Sequence, residues 1–179
     1  MTPEEMARRA RAVGLDGVVI TEHNAMWSDE EIAHLREQFP DLLFFRGMEV
    51  SAKGHHVLVY GFTDATGFEA GMPVSDVVAQ ARDRGGVAVW AHPLQKSLVP
   101  DPDVMQVGFD ACETRSMNID RWEQSEYSKL AMRLGVSEMW NSDAHHVEML
   151  GPFATRFDYA LRDEKDLAEA IRKGAFRPE

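Results

Sequence analysis

Cysteine is nearly absent from this chain: Cys112 stands alone in 179 residues. A disulfide framework within the chain and a cysteine-built zinc finger are thereby excluded. No apolar run approaches the roughly 18 residues of a membrane span. Basic residues are also in short supply, with 19 Lys and Arg against 30 Asp and Glu, a formal charge of −11. Long nucleic acids and anionic membrane surfaces are held by basic faces, so neither is an expected partner. The chain carries no G-x-S-x-G elbow, no P-loop and no G-x-G-x-x-G turn. Met1 runs straight into Thr2-Pro3-Glu4-Glu5, without the basic and then apolar opening of a secretory leader, and a cytoplasmic location is expected.

What is present is 44% hydrophobic and 27% charged, the profile of a folded domain, and the length fits one domain over 1–179. Thr2-Pro3-Glu4-Glu5 reads as a helix start, with a Thr cap, Pro in the first turn and Glu three residues after the cap. Ser28-Asp29-Glu30-Glu31 reads the same way for a helix to Gln38. Further helices are expected over Pro73–Arg84, Arg121–Leu134 and Glu164–Lys173. Short apolar runs lie between them: Gly17–Thr21, Leu42–Val50, His56–Phe62, Gly86–Trp90, Gly108–Glu113, Val136–Trp140 and Phe157–Leu161. Strands alternating with helices predict an α/β domain built on a mainly parallel sheet or barrel. In such folds, sites gather in the loops at the strand ends.

The chemically capable residues fall there. The first apolar run ends in Thr21-Glu22-His23-Asn24, and the second in Gly47-Met48-Glu49-Val50-Ser51. The third opens with Gly54-His55-His56, the fourth closes in Ala91-His92-Pro93, and the sixth leads into Asn141-Ser142-Asp143-Ala144-His145-His146. Glu49 sits in an otherwise apolar strand, where a carboxylate needs a partner or a metal. Asp143 and His145 are two apart, so extended backbone would point both to one side. His55 and His56 must face opposite ways in a strand, and periodicity does not say which faces the site. His34 lies on a polar helix and reads as solvated. Cys112 reads as a small buried hydrophobe, and Gly85-Gly86 as a helix end. Arg115 is a candidate phosphate partner, although a surface arginine fits it better.

In order and spacing, these segments resemble the PHP family, the polymerase and histidinol phosphatase superfamily of metal-dependent phosphoesterases. The resemblance runs from Ala12-Val13-Gly14-Leu15-Asp16-Gly17 through Thr21-Glu22-His23, Gly47–Ser51, His56–Gly61 and Ala91-His92-Pro93 to Asn141–His145. It implies a distorted (β/α)7-like barrel with helices outside and up to three divalent ions at the strand ends. The implied metal ligands are His23, Glu49, His56, His92, Asp143 and His145. The family's histidine stands seven residues after its glutamate, which selects His56 over His55. Glu49 would bridge two ions, with His56 and His92 completing one and Asp143 helping to hold it. His23 and His145 would serve a third position. Catalysis would rest on Glu49, His92 and Asp143.

The chain also departs from the family pattern. A first strand ending in His-x-His, with a further histidine, is expected ahead of Thr2 and is absent. Glu22 stands where the family often has aspartate. The resemblance therefore implies Zn, Mn or Fe, with fewer than three ions bound. It implies hydrolysis of a small phosphorylated metabolite or nucleotide by attack of a metal-activated water, impaired by the absent motif. The alternative is a catalytically degenerate domain that binds metal as a scaffold or regulator. A barrel without one strand exposes unpaired edges, and a homodimer covering them is expected. Size-exclusion chromatography with light scattering should give a dimer; a clean, folded monomer would contradict that expectation.

Overall fold

The computed structural model describes residues 1–179. Helix α1 (Pro3–Ala12) opens behind Thr2, whose hydroxyl accepts from the Glu5 backbone N–H while the Glu5 carboxylate accepts from that of Thr2. Strand β1 (Gly17–His23) follows, and then α2 (Asp29–Gln38), closed by the same reciprocal pair between Ser28 and Glu31. Both caps satisfy N–H groups that a first helical turn leaves unpaired. Strands β2 (Leu43–Ala52) and β3 (His55–Tyr60) form a hairpin through Lys53-Gly54. The chain continues through α3 (Val74–Asp83), β4 (Val87–Ala91), β5 (Ala111–Arg115), α4 (Gln124–Leu134) and β6 (Ser137–Trp140). It ends with β7 (Thr155–Phe157), α5 (Glu164–Arg172) and β8 (Phe176–Pro178).

Six strands form one curled sheet in the order β1-β2-β3-β4-β5-β6, and β7 pairs with β8 in a separate antiparallel ribbon. The large sheet is mixed. The β1/β2, β4/β5 and β5/β6 pairs are parallel, while β3 runs antiparallel to both β2 and β4. The expected mainly parallel sheet is therefore mixed, because a two-residue hairpin with no crossover helix joins β2 to β3. Its consequence is local and useful: the start of β3 lies at the same sheet edge as the end of β2.

Among the differences from the sequence reading, two strands are shifted and one is new. The fifth strand begins at Ala111, not Gly108, because Gly108 takes φ +83° and the Asp110 carboxylate accepts from the Ala88 N–H ahead of the ladder. The seventh covers Thr155–Phe157 and not Phe157–Leu161; Leu161 is instead buried beside α5. Strand β8 was not anticipated, since Phe176-Arg177-Pro178 is too short to carry a period.

Strand alternation divides the sheet into two faces. Val18, Ile20 and Phe44 pack with α1 and α2. Met48, Val50, Val57, Val59, Ala88 and Trp90 pack with α3, Phe109 and Tyr127. The opposite face carries Val19, Phe45, Leu58, Tyr60, Val87, Val89, Ala91, Ala111 and Met139, closed by Leu167, Ala168 and Ile171 of α5. Close approach of α5 depends on Gly61, where an added Cβ would lie 2.8 Å from the Cβ of Ala168. No helix is long and apolar enough to cross a membrane.

Arg46 of β2 ties these parts together. Its buried guanidinium donates to the Trp27 carbonyl at 2.9 Å and pairs with Asp29 of α2 and with Glu164 at the start of α5 (3.4 Å). Breaking a buried pair strands the surviving charge. Arg46→Ala should therefore lower unfolding free energy by about 3–5 kcal/mol, read from urea midpoints. A loss below 1 kcal/mol would show that the pair is not an anchor.

Candidate metal centre

The face that α5 closes at one end becomes polar at the other. By alternation, His23 shares the face of Val19, Glu49 that of Phe45, and His56 that of Leu58 and Tyr60. Register brings them to one level: His23 lies opposite Glu49 in the parallel β1/β2 pair, and the antiparallel hairpin sets His56 opposite Ser51, two residues on. His23, Glu49 and His56 offer ligand atoms that all lie within 4.8 Å of one another, a group that could hold a metal ion. The His56 Nδ1 is 2.6 Å from Glu49 Oε1, and the His23 and His56 rings meet edge to face with centroids 5.2 Å apart.

His92 reaches the same place by a different route. It follows Ala91, so straight β-alternation would turn it to the far face. Its backbone instead adopts φ +26°, and its Nε2 comes to 3.2 Å from Glu49 Oε1 and 3.3 Å from His56 Nδ1. Three non-glycine residues have positive φ: Asn24 (54°), His92 (26°) and Asp143 (48°). Each lies just past a strand at this edge. Such conformations cost on the order of 1–3 kcal/mol each and persist where surrounding contacts fix them. The Asn24 side chain donates to Ser51 Oγ and accepts from the Ser51 N–H, fastening β1 to β2 beside His23.

Electrostatics follow from this packing. Burial pushes the Glu49 carboxyl up, but hydrogen bonds from His56 and His92, with the charge of His23, outweigh it and bring the pKa down to about 2. Burial alone would push His92 down; its bond to Glu49 and the charges of Glu113, Glu49 and Asp143 raise it instead. Carboxylate and imidazole ligands, with the carboxylate already ionised, match the donor set of a divalent transition-metal site.

Glu113 was missed in the sequence. It is 2% exposed on β5, accepts from the strained His92 backbone N–H at 2.9 Å, and accepts from Asn141 Nδ2 at 3.0 Å. Burial raises its pKa to about 7, against the opposing charge of His92. The signal was available: Glu113 is an acid in an apolar strand, the same anomaly that marked Glu49.

Asp143 and His145 lie 3.9 Å from each other and are not part of the group formed by His23, Glu49 and His56. The Asp143 carboxylate is tied to Asn118 Nδ2 at 2.7 Å, and His145, whose side chain is 60% exposed, turns its Nδ1 to the Asp143 carbonyl at 3.2 Å. The positive φ at Asp143 breaks the extended run that would have set both on one side. His23, expected beside His145, instead groups with Glu49 and His56. His55 faces away, against the Trp90 ring (5.4 Å) and Asp101 (3.6 Å). His34 is exposed on α2, and Cys112 is fully buried with its thiol pushed up by burial. Arg115 is held by the carbonyls of Thr114 and Gln124 and by Ser128 Oγ, so its guanidinium serves the scaffold.

A family model described as PHP-associated matches residues 126–176, from α4 to the start of β8. No curated protein matches the chain in sequence. Among solved structures, PsfC from Pseudomonas syringae is similar, with a TM-score of 0.73 at 20% identity, over 98% of this chain and 81% of that one. A Bifidobacterium adolescentis protein assigned as a metal-dependent phosphoesterase gives 0.67 at 16%, over 95% and 90%. An amidohydrolase from Chromobacterium violaceum gives 0.61 at 15%, over 81% and 82%. At these identities the likeness is one of fold, a mixed α/β half-barrel. The family-model match is confined to the C-terminal part of the chain.

Metal content separates ligands from neighbours. His56→Ala should lose about tenfold or more in metal affinity, measured by calorimetry with Mn2+ or Zn2+, whereas His55→Ala and His34→Ala should not. Loss in His55→Ala with retention in His56→Ala would reverse the facing derived from β3.

Proposed function

We propose that the protein is a metal-dependent phosphoesterase acting on a small phosphorylated metabolite or nucleotide. The observation that carries this is the convergence of His23, Glu49 and His56 within 4.8 Å, with His92 against Glu49. These four residues would hold the metal, with zinc, manganese or iron fitting the donor set and fewer than three ions fitting a single tight group. When bound, such an ion makes a coordinated water nucleophilic near neutral pH and neutralises phosphate oxygens. Glu49 supplies fixed negative charge, because its carboxyl stays ionised well below neutral pH. His56 and His92 are aimed by the strand and turn that present them, and Glu113 holds the His92 backbone. Asp143 stands close enough for its charge to act on both His92 and Glu113, and a supporting role in catalysis is assigned to it.

A second reading is a metal-binding scaffold without turnover. It draws on Asp143 and His145, which engage Asn118 and the local backbone and leave one close ligand group. The two readings part in a single assay. Hydrolysis of p-nitrophenyl phosphate or its diester should require Mn2+ or Zn2+, vanish with EDTA and fall about 100-fold or more in Glu49→Gln. Metal bound with no turnover of either ester would favour the scaffold.

A further inference from the structure

Beside the metal group lies a recess of about 520 Å3, far larger than a phosphate requires. His56 and His92 line it together with Gly54, His55 and the loop that follows β4. The lining is rich in paired hydrogen-bonding character. The exposed Lys96 ammonium reaches across to donate to the Gly54 carbonyl at 3.1 Å. His55, held against Trp90, lies 3.6 Å from the Asp101 carboxylate. Gln95 and Ser97 add side chains that both donate and accept. No Phe, Tyr or Trp lines the recess, and its apolar lining is limited to Ala91, Val99 and prolines.

We infer that this recess receives the alcohol portion of the substrate, and that this portion is hydroxyl-rich, as in a sugar or polyol phosphate, with Lys96 and the His55–Asp101 pair setting specificity. The inference rests on the phosphoesterase reading for the position of the phosphate at the His56/His92 wall. Hydroxyls donate and accept at once, so they match a wall that alternates donors (Lys96, His55) with acceptors (Asp101, the Gly54 carbonyl). A nucleobase would lack the aromatic platform on which bases stack. Size also fits, because about 520 Å3 lined in part by the two histidines leaves room for a ring of pentose size.

Ribose 5-phosphate and AMP test this well, since they share the phosphate and the sugar and differ at the base. Calorimetry on Mn2+-loaded protein should show ribose 5-phosphate binding about tenfold or more tightly than AMP. Lys96→Met should weaken ribose 5-phosphate about tenfold while leaving Mn2+ affinity unchanged, because Lys96 donates to the Gly54 carbonyl and not to His23, Glu49, His56 or His92. AMP binding as tightly as ribose 5-phosphate, no binding of either, or an unaltered dissociation constant in Lys96→Met would overturn the assignment. Selective binding without turnover of any phosphate ester would support the recess and overturn the phosphoesterase reading. Turnover of p-nitrophenyl phosphate without sugar-phosphate selectivity would do the reverse.

Discussion

Glu49 is a carboxylate that strand β2 takes out of water. It is 6% exposed, in a run whose neighbours are Phe44, Phe45, Met48 and Val50, all buried. An ionised carboxylate in such a place costs several kcal/mol unless it is paired. His56 and His92 pair it, and His23 stands close enough to contribute charge. The surrounding chain can be understood as what is needed to bring three imidazoles to that one oxygen-bearing group. Parallel register with β2 brings His23, the tight hairpin brings His56, and a left-handed turn brings His92.

The same requirement accounts for the supports behind the site. Glu113 and Asn141 bind the His92 turn to the ends of β5 and β6, so β4, β5 and β6 share one polar rim. At the opposite end of this face, α5 packs Leu167, Ala168 and Ile171 into the space between the strands. Arg46 links that helix to α2 across β2. One end of the half-barrel is therefore filled and fixed by apolar packing, which leaves the other free to carry groups chosen for chemistry and not for stability.

Much of this was legible before folding was considered. Both reciprocal helix caps follow from Thr2…Glu5 and Ser28…Glu31, because a cap is a local matter. The gathering of His23, Glu49, His56 and His92 at strand ends also reads from order alone. Three things did not. The facing of His55 and His56 depends on which strand face α5 covers, a tertiary fact. The return of His92 to the site depends on a positive φ that His92-Pro93 does not announce. The grouping of His23 with Glu49, and not with His145, depends on pairing between β1 and β2. Glu113 is a different case, since the rule that exposed Glu49 would have found it in Ala111-Cys112-Glu113-Thr114.

Strand parity and the turn at His92 are proposed to build one metal centre around Glu49. Crystals grown with Mn2+ and measured for anomalous scattering test it most directly. An anomalous peak is expected bounded by His23, Glu49 and His56, within coordinating distance of the Glu49 carboxylate. A peak confined to Asp143 and His145, or none at Glu49 at saturating Mn2+, would contradict it.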